Sequence, residues 1–400
     1  MPLNRLQAAA LLLFLSGGAQ AAGPPELYVW QRQWTPAVGQ SLMAAADLAS
    51  GWRLLAATAR SDGSLARVEP DWEALAQAKK PVTAVVRIEG SGGAWVTEEG
   101  RLTAALQSLA DDWRCRALKH GLTLTGLEVD HDSATRRLAA YGRFLKGLRG
   151  GLDARLHLSA TGLPAWLDSP DLPQVLAPLD EFVLQVHSLE PNRQGLFEAG
   201  RARRWADLLA ARTSKPFRLA LPDFGVGVTR RADGSVAAFI AESPRPDAAP
   251  ASEEWAPRPR EVAGLLKDLE AAPPPHWAGV VWYRLPITGD RRGWSLPTLR
   301  AVIRGDEPES RAIVGVEPGK APGLSLLVLR NHGPTDAVIP QSISLPEDCN
   351  MGDGANGFSW QAGPRPALTH PPGALLRPDH HLALGWTRCA KPPESFDVEE

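Results

Sequence analysis

Apolar residues recur along the first three quarters of this chain in two alternating rhythms, one of period two and one of period 3.6. Glu26 to Trp34 alternates as a strand and is stopped by Pro36. A helical spacing follows through Ala49, then a strand from Trp52 to Arg60 and a helical stretch from Trp72 to Lys80. Pro81 opens a strand over Val82 to Gly90, and Glu98 to His120 has the spacing of a long amphipathic helix. Leu124 to Asp132 reads as a strand, and Ser133 to Leu148 as a helix with Asp132 or Ser133 as its N-cap. The same rhythm predicts strands over Asp153 to Thr161, Glu181 to Leu189, Phe217 to Gly225 and Trp277 to Leu285. Helices are predicted over Leu163 to Asp168, Ala199 to Arg212, Pro259 to Ala271 and Ser295 to Arg304.

About eight strand–helix units in residues 26–304 match the length and alternation of a (β/α)8 TIM barrel. A doubly wound sheet fits less well, because no glycine-rich phosphate turn follows the first strand. Val226 to Arg258 interrupts the rhythm. Asp233-Gly234 between short apolar runs suggests a hairpin there, on the face where barrel active sites are built. From Arg311 onward, short strands separated by Pro, Gly and Asn turns predict a small C-terminal β-sandwich domain. The expected division is a signal peptide over 1–21, a barrel over 22–304 and a β-rich domain over 305–400.

Composition narrows the partners. The formal charge of -2 and the absence of a basic composition argue against a nucleic-acid partner. Arg5, the apolar run Leu6 to Leu15 and Ala19-Gln20-Ala21 read as an export signal with its cleavage site, placing the mature protein in the periplasm or outside the cell. No later stretch is long enough to span a membrane. Of the three cysteines, Cys349 and Cys389 are a candidate disulfide, and Cys115 falls in a helical pattern as a buried free thiol. No Cys or His pair has zinc-ligand spacing, so no metal and no cofactor are expected.

The chemistry concentrates on one strand. Read with period two, Glu128, Asp130 and Asp132 share a face, while Leu127, Val129 and His131 share the other. Three acids side by side would repel one another and lose hydration, so packing alone does not account for them. The same reading brings Trp30, Arg32, Arg87, Glu89, Gln185, His187, Asp223, Trp282 and Arg284 to carboxyl strand ends as candidate substrate-binding residues. Fourteen Trp against 9 Phe and 3 Tyr is an unusual balance, and indole faces suit the apolar faces of sugar rings.

Thr125-Gly-Leu-Glu-Val-Asp-His-Asp132 resembles the D-G-x-D-x-D-x-E motif of family eighteen glycoside hydrolases, the chitinase-like barrels. Gly126 and Asp130 match, while Thr125, Glu128 and Asp132 stand where the family has Asp, Asp and the catalytic Glu. Trp282 is the counterpart of the tryptophan that floors the sugar site in that family, whose sixth-strand tyrosine has no match near Gln185 and His187. More closely, the chain resembles exported bacterial proteins grouped as domain of unknown function 3142. That likeness rests on Tyr28-Val-Trp-Gln, on Glu128-Val-Asp-His-Asp132 with Arg136-Arg137-Leu and Tyr141, on Leu219 to Gly225 and on Val281-Trp-Tyr-Arg-Leu-Pro286. It implies the barrel and export. Together these features predict a glycoside hydrolase-like protein with Asp132 as proton donor and Asp130 as charge stabiliser, acting on an oligo- or polysaccharide. The alternative is a carbohydrate-binding or envelope-assembly protein that keeps the bowl and lacks the acid.

Overall fold

A computed structural model of the chain describes residues 24–60, 64–90, 99–187, 195–240, 253–290, 292–393 and 396–399. The expected export signal lies outside them. The barrel strands are β1 (Glu26–Val29), β2 (Gly51–Ala59), β4 (Val82–Ile88), β5 (Leu124–Asp130), β6 (His157–Gly162), β7 (Glu181–Gln185), β8 (Phe217–Pro222) and β12 (Trp277–Tyr283). All eight pair in parallel, and β1 bonds to both β2 and β12, closing the ring. A short β3 (Leu65–Arg67) adds antiparallel to β2.

Outside the ring lie α1 (Pro36–Ala45), α2 (Trp72–Ala78), α3 (Glu99–Lys119), α4 (Leu138–Gly151), α5 (Leu172–Leu176), α6 (Ala199–Ala210), α7 (Pro259–Ala271) and α8 (Leu296–Arg304). In α3, Leu102, Leu106, Leu109, Trp113 and Ala117 recur at helical spacing and are buried with the outward side chains of the strands. Ser295 caps α8 by accepting from the Thr298 N–H at 3.3 Å. The segment after β5 departs from expectation: neither Asp132 nor Ser133 caps a helix. A 3-10 turn at Thr135–Arg137 comes first, and α4 begins only at Leu138 without a side-chain cap. Cys115 also departs from expectation. It is a free, exposed thiol, because the apolar positions of α3 take the inner face and leave it on the outer one.

The barrel is not filled by hydrocarbon alone. Low inside it, Arg53 donates from Nε to Glu26 Oε2 at 2.6 Å and from its two amino groups to Glu128 and Glu181. Arg218 donates to Glu181 at 2.9 Å. Above this layer Tyr28 Oη donates to Glu128 Oε1 at 2.5 Å, and its ring packs with Val85, Val183, Ala220 and Val281. Burial works against the Arg53 charge, but Glu128, Glu26 and Glu181 more than reverse that and raise its pKa. Gly126 is required by the same close packing, since a Cβ there would meet the His157 carbonyl oxygen at 2.6 Å.

Between β8 and α7 the chain leaves the barrel as an antiparallel sheet of β9 (Val226–Arg230), β10 (Val236–Ile240) and β11 (Glu253–Trp255). Its hairpin turns at Asp233-Gly234, where Gly234 has φ +82° and Asp233 accepts from the Ser235 N–H at 2.9 Å. Beyond α8 the chain is all β: β13 (Ala312–Pro318), β14 (Leu324–Asn331), β15 (Ala337–Val338), β16 (Ser342–Ser344) and β17 (Cys349–Gly354), then β18 (Ser359–Gln361), β19 (Ala367–Thr369), β20 (Leu375–Leu376), β21 (His381–Cys389) and β22 (Asp397–Glu399). Two antiparallel four-stranded sheets, β13-β14-β21-β17 and β18-β19-β16-β22, share a core that includes Leu327, Leu329 and Leu384 from one sheet and Ile343 and Leu368 from the other. Cys349 and Cys389 are register partners and form a disulfide. This unit meets the barrel at α8, where Asp336 accepts from the Ser295 N–H at 2.6 Å and donates its own N–H to Thr298 Oγ1 at 2.7 Å.

Replacing Arg53 by Met would leave Glu128 buried without a cation, while Glu26 and Glu181 would keep only Arg218. The expected cost is about 3–5 kcal/mol, measured as a fall in the urea unfolding midpoint. A loss below about 1 kcal/mol would show that the buried network contributes little.

Candidate active site

Strand parity decides which side chains reach the mouth of the barrel. On β4 and β5, Arg87 and Asp130 are register partners, so the guanidinium stands beside the carboxylate. Arg87 donates from Nη1 to Asp130 Oδ2 at 2.8 Å and from Nη2 to Asp132 Oδ2 at 2.6 Å. The other oxygen of Asp130 accepts from Thr161 Oγ1 at 2.6 Å and from Gln185 Nε2 at 3.4 Å. Asp130 is therefore buried and held from three strands. Asp132, two residues further on and past the strand end, has a side chain 44% exposed. Burial disfavours the Arg87 charge, and Asp130 and Asp132 outweigh that, raising its pKa well above the usual value.

These groups line one side of a cavity of about 340 Å³. Trp30, Tyr283, Phe224 and His187 form an aromatic wall opposite. Trp30 meets Tyr283 edge-on at 5.2 Å between ring centroids, Phe224 meets Tyr283 at 5.1 Å, and His187 stacks on Tyr283 at 6.3 Å. The rim adds Arg32, paired with Glu89 at 3.5 Å, and Arg284, which donates to Asp290 Oδ2 at 2.6 Å. A hollow of this size is at the small end of ligand sites. Its combination of flat aromatic faces with fixed carboxylates and guanidinium groups suits a polar ring compound with apolar faces.

Of the residues expected at the site, Trp30, Arg32, Arg87, Glu89, Asp130, Asp132, Gln185, His187 and Arg284 line this cavity. Three do not. Glu128 sits two residues deeper on the same strand, about 7 Å below Asp130, and is completely buried under Tyr28, Arg53 and Ser159. Trp282 has the opposite parity from the interior positions Val281 and Tyr283. It points outward into the helix layer, fully buried, with its ring 5.8 Å from Trp294. Asp223 follows Pro222 at the end of β8 and is 1% exposed beside Arg284 and Asp290. Its carboxyl oxygens meet no side-chain donor among the described residues, and burial raises its pKa.

Sequence reasoning passed over Tyr28, Thr161, Phe224 and Tyr283, all of which line the cavity. The parity of Tyr283 was the available signal, since it shares a face with the interior residue Val281. Phe224 falls in the expected strand but past its observed end at Pro222, where period two no longer sets the direction of a side chain.

Fold and site define a closed (β/α)8 barrel with a carboxylate–guanidinium cavity at the carboxyl ends of its strands. The chain belongs to the family described as Domain of unknown function (DUF3142), whose model matches residues 78–288, just over half of the chain. A second model, Domain of unknown function (DUF8456), matches residues 314–390. No curated protein matches the chain in sequence. Among solved structures it is similar to the spore cortex-lytic enzyme SleL of Bacillus megaterium, with 14% identity and a TM-score of 0.52 over 72% of this chain and 75% of that one. The Bacillus cereus SleL gives 12% identity and a TM-score of 0.51 over the same shares. A chitinase from Chromobacterium violaceum gives 14% identity and a TM-score of 0.49 over 71% of this chain and 98% of that one. At such identities the likeness to the two SleL structures shows a shared (β/α)8 barrel fold.

His187 sets a pH dependence. Burial pulls its imidazole down to about 4, with the nearby Asp132 acting in the opposite direction. Between about 6.5, where an unfolded imidazole titrates, and about 4 the unfolded chain therefore binds the extra proton. Stability contributed by the neutral ring is full above about 6.5 and falls as the pH drops through that window, by roughly 3 kcal/mol at most. Denaturant unfolding at pH 7 and pH 5 should show a smaller acid loss for His187→Gln than for wild type; equal losses would remove His187 as the source.

Proposed function

We propose that the protein is an exported glycoside hydrolase-like enzyme that takes a saccharide into the cavity at the barrel mouth and cleaves a glycosidic bond by carboxylate chemistry. One observation carries this reading: two carboxylates, fixed by a single guanidinium, face an aromatic wall across a hollow of about 340 Å³. Cleavage needs a proton delivered to the leaving oxygen and a negative charge beside the ring carbon it leaves. Asp132, outermost and reachable from the cavity, delivers the proton, and the water that then adds to the ring carbon returns a proton to it. Asp130 stabilises the charge that develops on the sugar; Thr161, Gln185 and Arg87 hold it in place so that it need not reorganise. Trp30 and Tyr283 stack against the apolar faces of the sugar. The Cys349–Cys389 disulfide fits the oxidising compartment to which the export signal points. No helix among the described residues is long and apolar enough to cross a membrane.

A second reading, a saccharide-binding or envelope-assembly protein without turnover, draws on the Arg87–Asp132 contact. That contact engages one oxygen of the proposed donor, on a side chain shorter than the glutamate of the chitinase-like motif.

A panel of β-linked oligosaccharides and peptidoglycan fragments, followed by mass spectrometry for bound and cleaved species, separates the two. In the first reading Asp132→Asn lowers turnover by about 10²–10⁴-fold and leaves saccharide affinity within about threefold. Binding without products in the wild type selects the second reading, and absence of both overturns each.

A further inference from the structure

The segment that carries the site's acids continues into the most one-sided stretch of charge on the barrel. Residues 135–151 contain Arg136, Arg137, Arg143, Lys146 and Arg149 and no Asp or Glu, in a chain whose formal charge is -2. Folding lines these cations along the outer wall. Arg136 lies four residues past Asp132 at the mouth, and α4 then runs its 14 residues, about 20 Å, down the outside of the barrel. Arg143 and Lys146 are exposed on its outer face.

A groove of about 440 Å³ opens between α4 and α5, and among the described residues it is lined by Arg143, Lys146, Arg149 and Gln174 and by no carboxylate. The two helices approach closely there, because a Cβ on Gly142 would stand 2.6 Å from the Gln174 carbonyl oxygen. Arg149 has a structural role. It donates to the carbonyls of Leu152, Asp153 and Leu156 and pairs with Asp180 at 3.1 Å. Lys146 has no carboxylate partner among the described residues, and the fold does not require its charge.

We propose that this wall is a secondary binding track for an acidic polysaccharide, a carboxylate- or phosphate-bearing glycan whose chain runs from the barrel mouth over Arg136 and along the α4–α5 groove. The idea rests on the proposed function for the ligand being a glycan; the charge pattern supplies the acidity. The cavity does not oppose such a chain, since Arg32, Arg87 and Arg284 balance Glu89, Asp130 and Asp132 in its lining. A membrane surface fits the wall less well. Docking on lipid uses apolar side chains beside the cations, and none of the exposed large hydrophobic residues falls within 135–151.

The test uses the full chain and three probes: polygalacturonate as the acidic glycan, an uncharged β-glucan oligosaccharide, and phosphatidylglycerol vesicles. Arg143→Glu with Lys146→Glu should weaken polygalacturonate binding about tenfold at low salt, and added salt should weaken the wild type in the same direction. Arg143→Gln with Lys146→Gln should fall between. All these positions are exposed, so an unchanged unfolding temperature shows that the variants are intact. Any cleavage of short oligosaccharides confined to the cavity should be the same in wild type and variants, which separates a failure of the track from a failure of the hydrolase reading. No binding of polygalacturonate, equal binding by the double Glu variant, or binding of vesicles alone would overturn the track.

Discussion

Everything at the mouth of this barrel rests on a guanidinium buried near its floor. Arg53 ties β2 to β1, β5 and β7 through Glu26, Glu128 and Glu181, so four of the eight strands meet on one cation. A buried charge is tolerable only when its partners are fixed, and each of these partners is fixed again: Glu26 and Glu181 by Arg218, and Glu128 by Tyr28 and Ser159. Strand register then follows from chemistry as much as from hydrophobic parity, because slipping any of these strands by one residue would pull a carboxylate out of the ring. The Tyr28 side chain is the spacer between this floor and the cavity. Its hydroxyl belongs to the lower network, and its ring carries the aromatic wall through Trp30 and Tyr283.

The upper site repeats the lower one in a more open form. Arg87 holds Asp130 and Asp132 much as Arg53 holds its three acids, but the outer carboxylate is half in solvent. The same device thus serves rigidity at one level and leaves a reachable oxygen at the next. The insertion after β8 completes the wall. Phe224 joins the cavity to the small cluster of Val226, Val228 and Trp255 that seats the extra sheet on the barrel.

Much of the architecture was legible in the sequence, because parallel strands and amphipathic helices have different periods and the chain alternates between them. The acid strand and Arg87 were legible from period two, and the Cys349–Cys389 bridge because both cysteines fall in the C-terminal segment. Depth was not. Period two puts Glu128, Asp130 and Asp132 on one face but says nothing of how far down the barrel each lies, and Glu128 proved to be part of the floor. Parity was misjudged on β12, where Trp282 is read as the counterpart of the chitinase-like floor tryptophan while Tyr283 is the residue that faces inward. Cys115 failed for a related reason: a helical pattern shows that one face is buried without showing that a particular small residue is on it.

The barrel is sealed by its shortest strand in a way that constrains its birth. Glu26 and Leu27 find one set of backbone partners on β2 at once, but the other set, Val281 and Trp282, belongs to the last strand of the ring. A chain delivered from its N-terminus must therefore hold an open sheet, with its polar interior exposed along one seam, until nearly the whole barrel has emerged. Such a long-range seam makes assembly slow and the half-made sheet prone to pairing with the wrong neighbour. Truncation before Val281 would leave a curved sheet with two raw margins rather than a smaller version of the same protein.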